Sequence, residues 1–185
     1  DHSMDKKSER ARVLKERNAL STAKRGELNH ALCSFLSDFL DSVKVQTIGA
    51  FLPIGSEPDI SEVLKNWLRA GAARQVFLPV TEGKTMRFAF WDPAKPLKIG
   101  RFSVPEPTSD LFSEPPLLLV PCVALNKQGY RLGYGAGYYD RYLEKHPGLV
   151  HIALAFEFQV FPEVPFEAHD ILPQMIVTET RMIRP

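Results

Sequence analysis

Residues 117–146 read "LLLVPCVALNKQGYRLGYGAGYYDRYLEKH" and pass from an unbroken apolar run, through a glycine-rich turn, into an aromatic and charged helix start. The run at 117–125 is apolar throughout, as a strand covered on both faces is. "NKQGYRLGYGAG" predicts a loop, and "YYDRYLEKH" a helix ended by Pro147 and Gly148. Three of the 11 glycines stand at alternate positions, Gly133, Gly135 and Gly137. Glycine gives up more backbone entropy on folding than any other residue. Such crowding therefore asks for a reason.

Working outward, the same alternation of strand and helix recurs. Residues 6–17, "KKSERARVLKER", hold six basic and two acidic residues among helix formers, which predicts a charged helix; on composition it is a solvated face. Ser21 is placed to cap a second helix, whose Leu28, Ala31, Leu32, Phe35, Leu36, Phe39 and Leu40 form one buried stripe. "VQTIGAFLP" reads as a short strand. Asp59 and Glu62 have the spacing of a capping box for a helix carrying Ile60, Val63, Leu64, Trp67 and Leu68, with Gly71 at its end. "QVFLPV", "MRFAFW", "VHIALAFEF" and "QMIVTET" supply further strands. Between Asp92 and Pro116 six prolines predict an irregular connection over the surface of the same domain. Continuous apolar strands alternating with helices imply a three-layer α/β/α fold with a mainly parallel, Rossmann-like sheet in a single domain. That domain spans residues 4–185, and "DHS" before Met4 reads as an expression-tag remnant.

The chain of 185 residues carries a net charge of +1, so a global field that gathers nucleic acid or anionic lipid is absent. No apolar run has the length of a membrane span, and the N-terminal stretch is polar. The two cysteines, Cys33 and Cys122, lie in apolar surroundings far apart, outside any CxxC or zinc pattern. Reduced, buried thiols in a cytoplasmic protein are expected. Trp67 and Trp91 read as core, and His169 as structural.

In an open α/β sheet, ligands bind beyond the carboxyl ends of the strands. The loop at 126–137 follows such a strand. Glycines let backbone N–H groups approach a bulky anion, and the helix start at Tyr138 adds free N–H groups and the positive end of a dipole. Arg131 and Arg141 can add charge-assisted bonds to phosphate. Asp140 is a hard oxygen ligand able to hold Mg²⁺ on the same phosphates. The pattern is neither G-x-x-x-x-G-K-[ST] nor G-x-G-x-x-G. The alternative is a loop whose glycines serve only tight turns, with its tyrosines packed on the core. Residue chemistry thus reaches a magnesium–nucleotide phosphate site and no further.

At these residues the sequence resembles the 5-formyltetrahydrofolate cyclo-ligase family, over nearly the whole chain. The resemblance is carried by "RLGYGAGYYDRYL", by "VPCVALNKQGYRLG" leading into it, by "FLPIGSEPDI", "GRFSVPEP" and the basic start. It implies an enzyme that uses ATP and Mg²⁺ to turn 5-formyltetrahydrofolate, with or without a polyglutamate tail, into 5,10-methenyltetrahydrofolate, ADP and phosphate. The formyl oxygen takes the γ-phosphoryl group and N10 closes the ring. Positioning and charge neutralisation carry such a reaction, and no protein nucleophile is needed. Carried over residue by residue, the resemblance implies that Lys7 and Arg10, with neighbouring Lys6, reach ATP phosphates. Arg131, Gly133, Gly135, Gly137, Tyr138 and Tyr139 match the ATP-binding segment, with Arg131 and Tyr138 at the reacting centre. Leu52, Glu57, Tyr134, Gly135, Ala136, Gly137 and Tyr138 border the folate, the Glu57 carboxylate accepting from the pterin N–H edge. Asp140 and Asp170 match Mg²⁺ ligands. The expected protein is a cytoplasmic monomer that binds neither nucleic acid nor membrane. Two other readings stay open: a non-enzymatic nucleotide- or RNA-binding protein using the basic helix, and another ATP-dependent kinase or ligase acting on a small acid.

Overall fold

The computed structural model describes residues 5–162, 164 and 170–185. His169 and the tag-like residues 1–3 lie outside them. Helix α1 (Lys6–Asn18) starts at Asp5, whose carboxylate accepts the Lys7 N–H. Helix α2 (Thr22–Ser42) starts at Ser21, whose hydroxyl oxygen takes the Lys24 N–H, and buries Leu32, Leu36 and Leu40. Strand β1 (Thr47–Gly49) and helix α3 (Ser61–Arg69) follow.

The expected capping box of α3 does not form. Ile60 occupies the cap position. Asp59 Oδ1 instead accepts the Ser61 N–H at 3.0 Å and the Ser61 hydroxyl at 2.6 Å. Glu62 is drawn toward Lys65, at 3.6 Å. Asp59 sits one residue too early to reach the third N–H of the helix, which is what a box requires.

Strands β2 (Gln75–Glu82) and β3 (Thr85–Phe90) form a hairpin. The connection expected over residues 92–116 holds three two-residue strands, β4 (Lys98–Ile99), β5 (Pro105–Glu106) and β6 (Phe112–Ser113). The 117–125 run is two elements, not one. β7 (Leu117–Pro121) ends at a proline, which has no N–H to continue a ladder. β8 (Ala124–Leu125) then pairs with β9 (Arg131–Leu132) as a hairpin outside the main sheet. Helix α4 (Tyr138–Lys145), β10 (Val150–Leu154), β11 (Met175–Val177) and β12 (Met182–Ile183) complete the chain.

The main sheet has the order β12-β11-β10-β7-β1-β2-β3-β6. β11, β10, β7, β1 and β2 are parallel neighbours. β12 and β3 flank them antiparallel, and β6, antiparallel to β3, runs in the direction of the five. Gly83 and Lys84 alone join β2 to β3, and a parallel crossover needs a dozen residues or more. Alternating residues of β7 face opposite layers. Leu117 and Leu119 pack with α2 and α3, while Leu118 and Val120 pack with Tyr142 and Leu143 of α4. The fold is therefore the three-layer α/β/α sandwich that the strand and helix alternation implied. Leu118, Leu119 and Val120 are fully buried, each stabilising the sheet by about 1.5–3 kcal/mol. Trp67 and Trp91 are core residues, each 4% exposed.

Two features of this topology position the site. From β1 the chain moves to β2 on one side, whereas β7, β10 and β11 extend on the other. Between β1 and β7 the connections diverge, and at such a switch point the carboxyl edge of a doubly wound sheet leaves room for a crevice. Helix α1 lies beside that edge, its Val13 buried against Val123, Ala124 and Leu132 of the β8–β9 hairpin.

Candidate functional site

The glycine loop leaves β9 and enters α4 directly. Gly135 (φ 104°) and Gly137 (φ 77°) hold left-handed backbone that side-chain-bearing residues seldom adopt. Gly137 is the cap of α4, and no side chain takes up the first N–H groups of the helix. Those donors are left for water or a ligand.

Arginines surround the loop. Arg10 of α1 donates from Nε to the Gly133 carbonyl at 2.8 Å. Arg141 donates to the Ala136 carbonyl at 2.9 Å and, through Nε, to the Lys84 carbonyl at 2.9 Å. The Arg131 side chain is 6% exposed and its Nη2 meets Asp140 Oδ1 at 2.5 Å. Asp140 itself is 71% exposed. The Tyr138 hydroxyl donates to the Gly83 carbonyl at 2.7 Å, with its ring edge-on to Phe102, so it faces the β2–β3 turn. Tyr139 is half-buried beside the Arg131 guanidinium, and burial raises its hydroxyl pKa above the ordinary phenol value.

Across the crevice, the segment after β1 carries Glu57, buried at 4% exposure. Its Oε1 accepts the Ile54 N–H at 2.8 Å. The Tyr134 hydroxyl of the glycine loop lies near the same carboxylate and favours its charged form. Burial pushes the Glu57 carboxyl above the usual carboxylate range, against the pull of Tyr134, the Ile54 N–H and the Arg17 guanidinium. Arg17, on α1, is 2% exposed. It donates from Nη2 to the Tyr134 hydroxyl at 2.9 Å and from Nε to Ser56 Oγ at 2.9 Å. Ser56 in turn donates to Asn18 Oδ1 at 2.5 Å.

The structure thus gathers Arg10, Arg131, Gly133, Tyr134, Asp140 and Glu57 around one crevice. Lys7 is exposed at the start of α1, with Lys6 beside it. Leu52 packs on the rim of the core under the segment that carries Glu57. Asp170 is half-buried in the stretch that leads to β11. Sequence reasoning missed Arg17. The signal was present, because Arg10, Val13 and Arg17 recur at i, i+3 and i+7 and so share one face of α1. Val13 is the apolar residue that turns that face inward.

Asp140 offers one open, hard oxygen at the head of α4. Among the described residues no three His, Cys, Asp or Glu side chains gather as a closed cage. Mg²⁺ on a phosphate uses one or two carboxylates, the phosphate oxygens and water, so this donor set fits it.

The fold is that of a doubly wound α/β protein whose switch point lies between β1 and β7. The model of the 5-formyltetrahydrofolate cyclo-ligase family matches residues 2–179. A 5-formyltetrahydrofolate cyclo-ligase of Mycolicibacterium smegmatis is 30% identical, over 94% of this chain and 93% of its own. That of Escherichia coli K12 is 27% identical, over 92% and 98%. The solved structure of Aquifex aeolicus 5,10-methenyltetrahydrofolate synthetase superposes with a TM-score of 0.85 at 32% identity, covering 98% of this chain and 93% of that one. The Mycoplasma pneumoniae 5,10-methenyltetrahydrofolate synthetase superposes with a TM-score of 0.78 at 25% identity, covering 95% and 99%. The chain belongs to the 5-formyltetrahydrofolate cyclo-ligase family, and it is an enzyme of that class.

Proposed function

We propose that this protein converts 5-formyltetrahydrofolate into 5,10-methenyltetrahydrofolate at the expense of ATP, with release of ADP and phosphate. Family membership supports the reaction class. The observation that carries the residue roles is the pair of hydrogen bonds from Arg17, to the Tyr134 hydroxyl and to Ser56 Oγ, which ties the cationic glycine loop to the segment that carries the buried Glu57 carboxylate. A triphosphate on the loop and a pterin on Glu57 are then neighbours.

A formamide is a poor electrophile with a poor leaving group. The formyl oxygen attacks the γ-phosphorus, a new O–P bond forms, and the bond to the β,γ-bridging oxygen breaks to leave ADP. The N10 lone pair then adds to the formyl carbon, the C–O bond breaks, phosphate departs and the N10 proton passes to solvent. Arg10, Arg131, Arg141 and the N–H groups at 133–138 neutralise the phosphate charge as it redistributes. Lys7 stands at the exposed start of the same helix as Arg10 and adds to that field. Glu57 fixes the pterin edge, with Leu52, Ala136 and Tyr138 bordering the folate. Tyr139 packs beside Arg131. Mg²⁺, when bound to Asp140 and Asp170, supplies further charge neutralisation on the phosphates. In this reading the enzyme acts as a cytoplasmic monomer on ATP and the folate, with or without polyglutamate, and binds neither nucleic acid nor membrane. Among the described residues no helix is long and apolar enough to cross a membrane.

The test follows methenyl-folate absorbance with purified protein, 5-formyltetrahydrofolate, ATP and Mg²⁺, and measures ADP in parallel. Equal yields of ADP and methenyl-folate, lost when ATP or Mg²⁺ is left out, are expected. Folded protein with no turnover would contradict the reading.

A further inference from the structure

We propose that Arg17 is a positioning residue of the folate pocket, holding Tyr134 and Ser56 so that the Glu57 carboxylate stays aimed at the pterin. The proposal rests on the reading of Glu57 as pterin acceptor. Arg17 does not touch the reacting atoms; it acts through the two groups that flank Glu57.

The geometry is specific. Nη2 donates to the Tyr134 hydroxyl at 2.9 Å, and Tyr134 lies beside the Glu57 carboxylate. Nε donates to Ser56, the residue before Glu57 in the chain. One rigid guanidinium plane therefore fixes both the tyrosine beside the carboxylate and the residue before it in the chain. The Arg17 guanidinium also lies 5.7 Å from the centre of the Tyr134 ring. Tyr134 as a residue is 45% exposed while its hydroxyl is tethered by Arg17. Nη1 is buried with no partner among the described residues.

A charge this deep is costly unless something requires it, and an apolar side chain would pack α1 more cheaply. The requirement is Glu57. Burial opposes its ionisation, and Arg17 and Tyr134 favour it. The titratable groups acting on or acted on by Glu57 are Arg17 from α1, Tyr134 from the glycine loop, Tyr139 from α4 and Cys122 after β7. Burial pushes both tyrosines up and Cys122 to about 12, so these three are neutral through the assay range. Of the groups that favour ionised Glu57, Tyr134 acts most strongly, then the Ile54 N–H, then Arg17, the one full positive charge among them. Arg10 and Arg17 lie two turns apart on one face of α1, one on the Gly133 carbonyl and one on the Tyr134 hydroxyl. The helix thereby spans from the loop backbone to the folate carboxylate.

The experiment measures KM for each substrate, and folate kcat/KM against pH, in Arg17→Met, Arg17→Lys, Tyr134→Phe and Glu57→Gln enzymes, with folding checked by circular dichroism. Arg17→Met is expected to raise folate KM on the order of tenfold, with ATP KM changed less than about twofold, and to move the acid limb to higher pH, the direction a lost neighbouring positive charge produces. Arg17→Lys is expected to return the limb while restoring only part of the KM. Tyr134→Phe is expected to raise folate KM. Folded Arg17→Met enzyme with wild-type folate KM and limb overturns the inference, as does an equal loss for both substrates with the limb unmoved. If Arg17→Met does not fold, Arg17→Lys and Tyr134→Phe decide: wild-type folate KM in both overturns it. Glu57→Gln enzyme with wild-type folate KM sinks the reading of Glu57 and the inference together. An impaired Glu57→Gln enzyme beside inert Arg17 variants sinks the inference alone.

Discussion

Replacing Gly137 with alanine tests how the glycine loop is built. Gly137 holds φ 77° at the cap of α4, and a Cβ there would stand 2.5 Å from Arg141 Nη1. Left-handed backbone costs a side-chain-bearing residue about 1–2 kcal/mol. Arg141 must also swing away from the Ala136 carbonyl, losing a bond with a net contribution of about 1 kcal/mol. The stiffer unfolded chain returns about 0.5 kcal/mol. The net loss is about 1–3 kcal/mol, which lowers Tm by roughly 3–10 °C in a chain of this size. Gly26→Ala is the control. Gly26 lies inside α2 with nothing within 4 Å of a built Cβ, and the change should stabilise by about 0.5–1 kcal/mol. Thermal melts of both variants, with ATP KM measured alongside, decide the matter. Gly137→Ala should melt lower and need severalfold more ATP, while Gly26→Ala melts higher with ATP KM unchanged. A Gly137→Ala enzyme with wild-type Tm and ATP KM would refute both the strain argument and the role of the helix start.

Other perturbations address separate parts of the site. Asp140→Ala should raise the Mg²⁺ concentration for half-maximal turnover on the order of tenfold or more and leave folate KM alone, as read from Mg²⁺ titrations at fixed ATP. Arg131→Ala should raise ATP KM with little change for folate; unaltered ATP kinetics would argue against its phosphate role. Glu57→Ala should mainly raise folate KM, and a uniform loss on both substrates would point to misfolding instead. His151 is 1% exposed, and burial lowers its pKa from the ordinary 6.5 to about 4. The unfolded chain therefore binds a proton that the native state refuses. Stability is full above pH 6.5 and falls by about 3 kcal/mol as pH drops to 4, at about 1.4 kcal/mol per pH unit. Urea titrations should show this loss in the wild type and a smaller one in His151→Gln.

Local signals served the sequence reading well. The Ser21 cap, the stripe of Leu32, Leu36 and Leu40, and the passage from apolar strand through glycines into α4 each depend on neighbours within a few residues, and each is present. Signals that needed distant partners were illegible. The β2–β3 hairpin and β12 run antiparallel, which the apolar runs do not encode because both pairings bury the same residues. The break after Pro121 depends on β8 finding β9, seven residues further along the chain. Asp59 and Glu62 had box spacing, yet the helix began one residue later and the box failed. At the site, Glu57, Arg131 and Asp140 stood out through motif context. Arg17 was hidden because a basic helix reads as solvated until Val13 is seen packing on the β8–β9 hairpin. Tyr138 was placed with the substrates, and its hydroxyl is held by the Gly83 carbonyl on the side of the β2–β3 turn.

The most direct test of the account is a crystal structure with a non-hydrolysable ATP analogue, Mg²⁺ and 5-formyltetrahydrofolate bound together. The account predicts phosphate oxygens within hydrogen-bond reach of the N–H groups at 133–138, the pterin edge on Glu57, and the formyl oxygen facing the γ-phosphorus. A triphosphate lying away from this loop, with the folate on some other surface, would contradict it.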